Sequence, residues 1–256
     1  MLLSVISCHF CLSFCFRLLT NYSETDSKMS QRRVKRPSNA EVDYSEIEDS
    51  IKECVRYIVC REGSKIPIKR GEIIKHLSTV CETPSNLMNA VIIEANKALK
   101  RVYGYKLVQV KSKSGIQYIV VLNEECESLP STVTDANERR LLVATLLHIY
   151  MSAAPVKEEE MYKFLTEAGL LEENDYASRK LLTTTFTRQM YLQYSKVGEG
   201  DLARYVFQWG ERASEEVPKL FLLNKMAEAF EKPPDHWYEQ YREANEEIRQ
   251  NTASTS

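Results

Sequence analysis

The order of elements along this chain is written twice, and that repetition limits the fold more than any single motif does. Pro67-Ile68-Lys69-x-x-Glu72 returns as Pro155-Val156-Lys157-x-x-Glu160, 88 residues later. An apolar helical pattern precedes each copy, and the patterns of helix, helix and hairpin follow each copy. A shared order of elements at a fixed offset marks a duplicated module.

In the first block Ile47, Ile51, Cys54, Val55, Ile58 and Val59 recur at helical intervals, and Gly63 stops the helix. Ile66-Pro67-Ile68 is extended, because a proline disfavours the helical region for the residue before it. The spacing predicts a second helix over Lys69 to Val80, with Ile73, Ile74 and Leu77 inward. A third begins at Pro84-Ser85 with Ser85 as N-cap, buries Leu87, Val91, Ile92, Ala95 and Leu99, and ends at Gly104. Tyr105 to Val110 and Ile116 to Leu122 are β-rich runs around the polar turn Lys111-Ser112-Lys113-Ser114-Gly115. Three helices and a two-stranded hairpin make a winged helix, a variant of the helix-turn-helix.

The second block reads alike: helix over Asn137 to Met151, extended Pro155-Val156, helix over Glu158 to Ala168, and helix over Ser178 to Met190. Its hairpin is Tyr191 to Val197, a Gly198-Glu199-Gly200 turn, and Arg204 to Trp209. The expected fold is mainly α with small β-hairpins, in tandem winged-helix domains at 45–122 and 135–212. An acidic, then Ser/Thr/Pro-containing linker spans 123–134, and C-terminal helices with a tail span 213–256.

Residues 1–28 read as an upstream extension or a non-native start, and Met29 is favoured as the native one. The apolar run Leu2 to Leu19 lacks a basic leading region and a cleavage site, and is barely long enough for a membrane helix. Residues 29–44 form a disordered basic arm in which Arg32, Arg33, Lys35 and Arg36 suit a nuclear localisation signal, a nucleic-acid arm or a solvated tail. Cysteines number seven, an odd count, and Cys54 and Cys60 lie in a periodic apolar stretch, which suits a reducing compartment. Cys8-x-x-Cys11 lacks a second Cys/His pair, so neither zinc nor another cofactor is expected. With 43% hydrophobic residues the core needs no disulfide.

No phosphate loop, His-Glu-x-x-His or Gly-x-Ser-x-Gly occurs, and His9, His76, His148 and His236 fall in different elements, so no enzyme is expected. Glu158-Glu159-Glu160 sits where a helix dipole favours negative charge. The net charge of −2 conceals an asymmetry: residues 51–122 balance to +8 and residues 135–230 to −3. Opposite signs on two similar blocks point to different partners.

The run Arg188-Gln189-Met190-Tyr191-Leu192-Gln193-Tyr194-Ser195-Lys196-Val197, followed by Asp201-Leu202-Ala203-Arg204-Tyr205-Val206-Phe207-Gln208-Trp209-Gly210, resembles the signature hairpin of the MAGE homology domain. Lys180-Leu181-Leu182-Thr183, Pro67-Ile68-Lys69-Arg70-Gly71-Glu72 and Val102-Tyr103-Gly104 resemble further segments, so that the likeness covers roughly 47–230. The resemblance implies a non-catalytic tandem winged helix that binds a RING-type ubiquitin ligase. In the family's ancestral, chromosomal branch such a protein is a nuclear subunit of the SMC five/six complex. It bridges the ligase subunit and a kleisin, touches the SMC arms indirectly, and serves DNA repair and recombination without contact with a membrane. Adaptors of ligases outside that complex are the alternative within the family, and a free-standing winged-helix DNA-binding regulator is the alternative outside it.

Two surfaces follow. Many family members carry adjacent leucines on the first helix, associated with ligase binding; the matching position here is Ile58-Val59, after Tyr57, and Ile58 and Val59 are either part of that surface or simply core. For DNA, Lys97, Lys100 and Arg101 end the third helix of the first block, while Lys106, Lys111 and Lys113 lie on the adjoining hairpin. Together they are expected to touch phosphates from helix and wing, or else to be a solvated basic face. In the second hairpin Trp209 is expected to be buried.

Overall fold

The computed structural model describes residues 47–112, 115–123, 135–153, 155–172, 174–200 and 203–255. Lys113, Cys8, Cys11, the basic arm and residues 124–134 lie outside the described residues.

The first module opens with α1 (Glu48–Glu62), which turns Cys54, Val55 and Ile58 inward. Its first turn carries Glu48 and Asp49 and its last Arg61, charges that complement the helix dipole. Strand β1 (Ile68–Lys69) leads into α2 (Arg70–Val80), which buries Ile73 and Leu77. Helix α3 (Met88–Ala98) continues as a π turn over Leu99–Tyr103 and stops at Gly104, whose φ of 68° favours a residue without Cβ. Ser85 is not its cap: Leu87 N–H donates to Pro84 O at 3.0 Å, so Pro84 to Leu87 close a tight turn and the helix starts at Met88. Strands β2 (Tyr105–Ser112) and β3 (Gly115–Leu122) pair antiparallel in the order β1-β3-β2.

The second module repeats the plan. Asp135 caps α4 (Ala136–Ser152), its Oδ1 accepting from the N–H groups of Asn137 and Glu138 at 2.7 and 3.1 Å. Then come β4 (Val156–Lys157) and α5 (Glu158–Glu167). The third helix starts at Tyr176 rather than Ser178, because Asp175 accepts from Ser178 N–H at 3.0 Å. It runs as α6 (Tyr176–Lys180), a π turn over Leu181–Thr185 and α7 (Phe186–Arg188), so each module carries a π turn in its third helix. Strands β5 (Leu192–Val197) and β6 (Arg204–Trp209) complete a sheet of order β4-β6-β5.

Each module has its own core. Ile58, Ile73, Leu77, Val91, Leu99 and Tyr118 belong to the first, and Leu146, Phe164, Leu182, Phe186, Tyr191 and Phe207 to the second. Each such aliphatic or aromatic side chain contributes about 1.5–3 kcal/mol on burial. The second core continues into α8 (Glu211–Glu216) through Ala213 and into α9 (Lys219–Phe230) through Leu222, Leu223 and Met226. The last helix, α10 (Tyr238–Thr255), is tied on where Tyr150 Oη donates to Gln240 O at 2.5 Å and Gln240 Nε2 donates to Met151 O at 3.2 Å. Trp209, expected to be buried, is half-buried; its Nε1 donates to Leu146 O at 2.9 Å.

Candidate partner and nucleic-acid surfaces

The two faces of the first sheet are both used. Tyr118 and Val120 of β3 join the first core together with Ile68 and Leu107. The alternate residues Ile119 and Val121, with Val108 and Val110 of β2, pack instead against Met190 of the second module. The hairpin is therefore not a wing standing free in solvent: one of its faces is the seam between modules.

That placement sorts the five described basic residues of the six expected to meet DNA. Lys106 is committed to the seam, its Nζ 3.0 Å from Glu215. Lys97 is exposed but lies 2.7 Å from Glu94, one turn back on α3. Lys100 and Arg101 are exposed on the π turn. Lys111 is exposed near the far end of β2, six residues beyond Tyr105, which at a strand's rise is about 20 Å away. The fold does not gather the five described ones, Lys97, Lys100, Arg101, Lys106 and Lys111, into one patch. It sets Lys100 and Arg101 at one end of the hairpin and Lys111 at the other. Near that other end lies a polar pair that sequence reading missed, Arg70 Nη2 donating to Asn89 Oδ1 at 2.6 Å. They are 19 residues apart, one at the start of α2 and the other at the start of α3.

The helix face associated with the ligase is equally specific. Ile58 is fully buried in the first core and offers no side chain to a partner, whereas Tyr57 and Val59 are half-buried. The Tyr57 ring stacks on His76 with centroids 4.4 Å apart, and the Arg61 guanidinium lies 4.5 Å from its centroid. Beside it Glu53 accepts from Arg56 at 2.6 and 2.7 Å and lies 2.6 Å from His76 Nε2. Arg56 first, then His76, holds the Glu53 carboxyl down at about 2. Helices α1 and α2 thus present an aromatic ring within a charged frame.

The residue most embedded in the architecture was not singled out from sequence at all. Arg212, on α8, is 1% exposed. Its Nε donates to Gln189 O at 2.8 Å, its Nη1 to Val120 O at 2.7 Å and to Glu216 at 2.8 Å, and its Nη2 to Lys65 O at 3.0 Å. Glu216 accepts in turn from Tyr191 Oη at 2.5 Å. In sequence, Arg212 and Glu216 look like an ordinary exposed i,i+4 pair, which is why the pattern hid them.

Among the described residues no group of His, Cys, Asp and Glu is arranged to hold a metal ion. Burial pushes the Cys54 thiol up to about 12, so it behaves as a small apolar side chain. Among the described residues no helix is long and apolar enough to cross a membrane.

The MAGE homology domain matches residues 54–220. The chain is 30% identical to the human protein named non-structural maintenance of chromosomes element 3 homolog, over 87% of this chain and 74% of that one. It is 29% identical to the mouse protein of the same name, over 90% and 84%. Human MAGE-like protein 2 is 29% identical, but only 16% of its length is covered. Among solved structures, a chain of an Nse1-Nse3-Nse4 complex superposes with a TM-score of 0.67 at 26% identity, covering 78% of this chain and 98% of that one. The paired winged helices, the signature hairpin and these matches lead to one conclusion: the chain belongs to the MAGE homology domain family.

Proposed function

We propose that this chain is a non-catalytic scaffold subunit of an SMC five/six chromosome-maintenance complex in the nucleus. In this reading it bridges a RING-type ubiquitin ligase subunit and a kleisin, meets the SMC arms indirectly, and adds DNA contact during DNA repair. The observation that carries the reading is coverage. Similarity runs through 74% and 84% of the two chromosome-maintenance relatives, but through only 16% of MAGE-like protein 2 and 14% of trophinin. The match thus extends through most of those two relatives and through only a small part of the other two.

The aromatic and charged frame of Tyr57, Arg61 and His76, with Val59 beside it, is the surface offered to the ligase subunit. The second module, which carries no basic excess, holds the kleisin as a helix. DNA contact falls to Lys100 and Arg101, with Lys111 reaching a separate stretch of phosphates. Such contact is sequence-tolerant and salt-dependent.

The test is affinity purification of the tagged chain from nuclear extract, with bound proteins identified by mass spectrometry. A RING-like subunit, a kleisin and the long SMC arms recovered together are the expected result. A lone RING ligase would replace this reading with that of an adaptor outside the complex. No stable partner would leave a free-standing DNA binder.

A further inference from the structure

We propose that Arg212 is the positioning residue of the scaffold: it fixes one placement of the two modules, so that the ligase and kleisin surfaces are presented as a single rigid body. The consequence for partners rests on the reading above; the geometry of the joint does not.

Arg212 belongs to the second module, yet its guanidinium donates to two backbone carbonyls of the first, Val120 O on β3 and Lys65 O after α1. Its remaining contacts, Gln189 O and Glu216, lie on its own side of the seam. A guanidinium presents its donors in a planar fork. Carbonyls from three separate segments can all lie on that fork in only one relative arrangement of the segments. The Lys65 carbonyl is itself held by a left-handed backbone, φ 57°, at a residue that is not glycine, a conformation kept only where the surroundings compensate for its strain.

The joint is also steep. Sliding the modules apart would break the bonds to the Val120 and Lys65 carbonyls and leave the guanidinium with only Gln189 O and Glu216, so partial opening gains nothing. Around this polar centre Val108, Val110, Ile119 and Val121 close on Met190, Gln189 Nε2 donates to Ser64 O at 3.3 Å, and Lys106 pairs with Glu215 at the rim. The apolar contacts hold the modules together without direction, and the fork gives them their register. A buried ionic group that contributes more to a unique arrangement than to net stability fits this design.

The decisive measurement is the set of backbone residual dipolar couplings of the full chain, fitted module by module. The wild type should need one alignment tensor for both modules. Arg212→Lys keeps the charge beside Glu216 but loses the fork, and Arg212→Met loses both. Each should need two tensors, while the couplings within each module still fit its own fold. Lys106→Ala, which breaks only the rim pair, should keep one. Variants that fit the wild-type single tensor would overturn the proposal. Loss of the folded spectrum in both Arg212 variants would overturn it too, since Arg212 would then serve the fold of its own module. With purified RING-type and kleisin subunits added together, Arg212→Lys should weaken assembly of the three-subunit complex by tenfold or more; two tensors with unchanged assembly would refute the positioning role. A wild-type chain that binds neither subunit would sink the proposed function while the tensors still decide the joint.

Discussion

Replacing His148 should make the protein more resistant to acid, and the size of the gain can be worked out. His148 lies on α4 at 5% exposure, its ring stacked on Phe164 with centroids 4.0 Å apart and planes at 5°. Neither ring nitrogen has a hydrogen-bond partner among the described residues. Burial alone pushes its pKa down to about 4, from an ordinary 6.5. The sign follows directly. Below about pH 6.5 the unfolded chain takes up a proton at this position and the folded chain does not. Stability present in full above 6.5 is therefore lost as pH falls towards 4, by about 3 kcal/mol at most. His148→Leu removes the titration. At pH 7.5 it loses the ring stacking but also removes two unpaired buried polar atoms, so its stability should lie within about 1 kcal/mol of wild type. Denaturant unfolding followed by tryptophan fluorescence reports on this module, because Trp209 and Trp237 both pack against its core. The stability difference between variant and wild type should widen by about 2–3 kcal/mol between pH 7.5 and 4.5. Parallel curves over that range would refute the argument, and would mean that the imidazole is solvated or hydrogen-bonded in solution.

Trp209→Ala should cost about 3 kcal/mol, the low end for a large aromatic, because the ring is half-buried against Tyr150 and Lys219 and donates to Leu146 O; Trp237 fluorescence during denaturant unfolding would measure it, and unchanged stability would show the ring to be dispensable. Gly210→Ala should cost about 1–3 kcal/mol or more through overpacking, since a Cβ at Gly210 would sit 2.2 Å from Met190 O, a backbone atom that cannot yield; thermal melting checks it, and an unshifted midpoint contradicts the packing. Reversing Lys97, Lys100 and Arg101 together should abolish binding to a DNA duplex without unfolding the protein, while Lys111→Glu alone should flatten the salt dependence by about one phosphate contact; fluorescence anisotropy across a salt series, with circular dichroism as the folding control, separates the two, and affinity retained at low salt by the triple variant would reject the α3 surface.

What the sequence made legible was local. Periodic apolar positions located α1, α2 and α4, and the polar turn after Val110 located the first hairpin, because each pattern depends on a few neighbouring residues. Gly104 was legible as the end of α3, yet Asp135 and Asp175 went unread as caps, and Ser85, expected to be an N-cap, lies in a turn that starts at Pro84. The candidate surfaces suffered more. Ile58 and Val59 are adjacent in sequence, but only the α1 packing decides that Ile58 faces the core and Val59 its rim. Lys106 reads as one more wing lysine until Glu215, over a hundred residues away, meets it.

The joint itself did leave a trace in the sequence, and that trace explains why the duplicated modules are not equivalent. A hairpin that covers a core on one face alternates apolar and polar residues, whereas one buried on both faces reads as a continuous apolar run. Ile119-Val120-Val121-Leu122 is such a run, and the first three are buried. Across β5 and β6 the pattern is broken by Gln193, Ser195, Lys196, Arg204 and Gln208. The first hairpin is therefore the one built to be covered, and the second the one that keeps an outer face open. In an ordinary winged helix the hairpin is free to reach a ligand. Here the first module has given one face of it to its neighbour, while the π turn at Lys100 and Arg101 and the strand end at Lys111 stay exposed. In the proposed scaffold that face is given up for a fixed geometry between modules, on which a subunit that joins two partners depends.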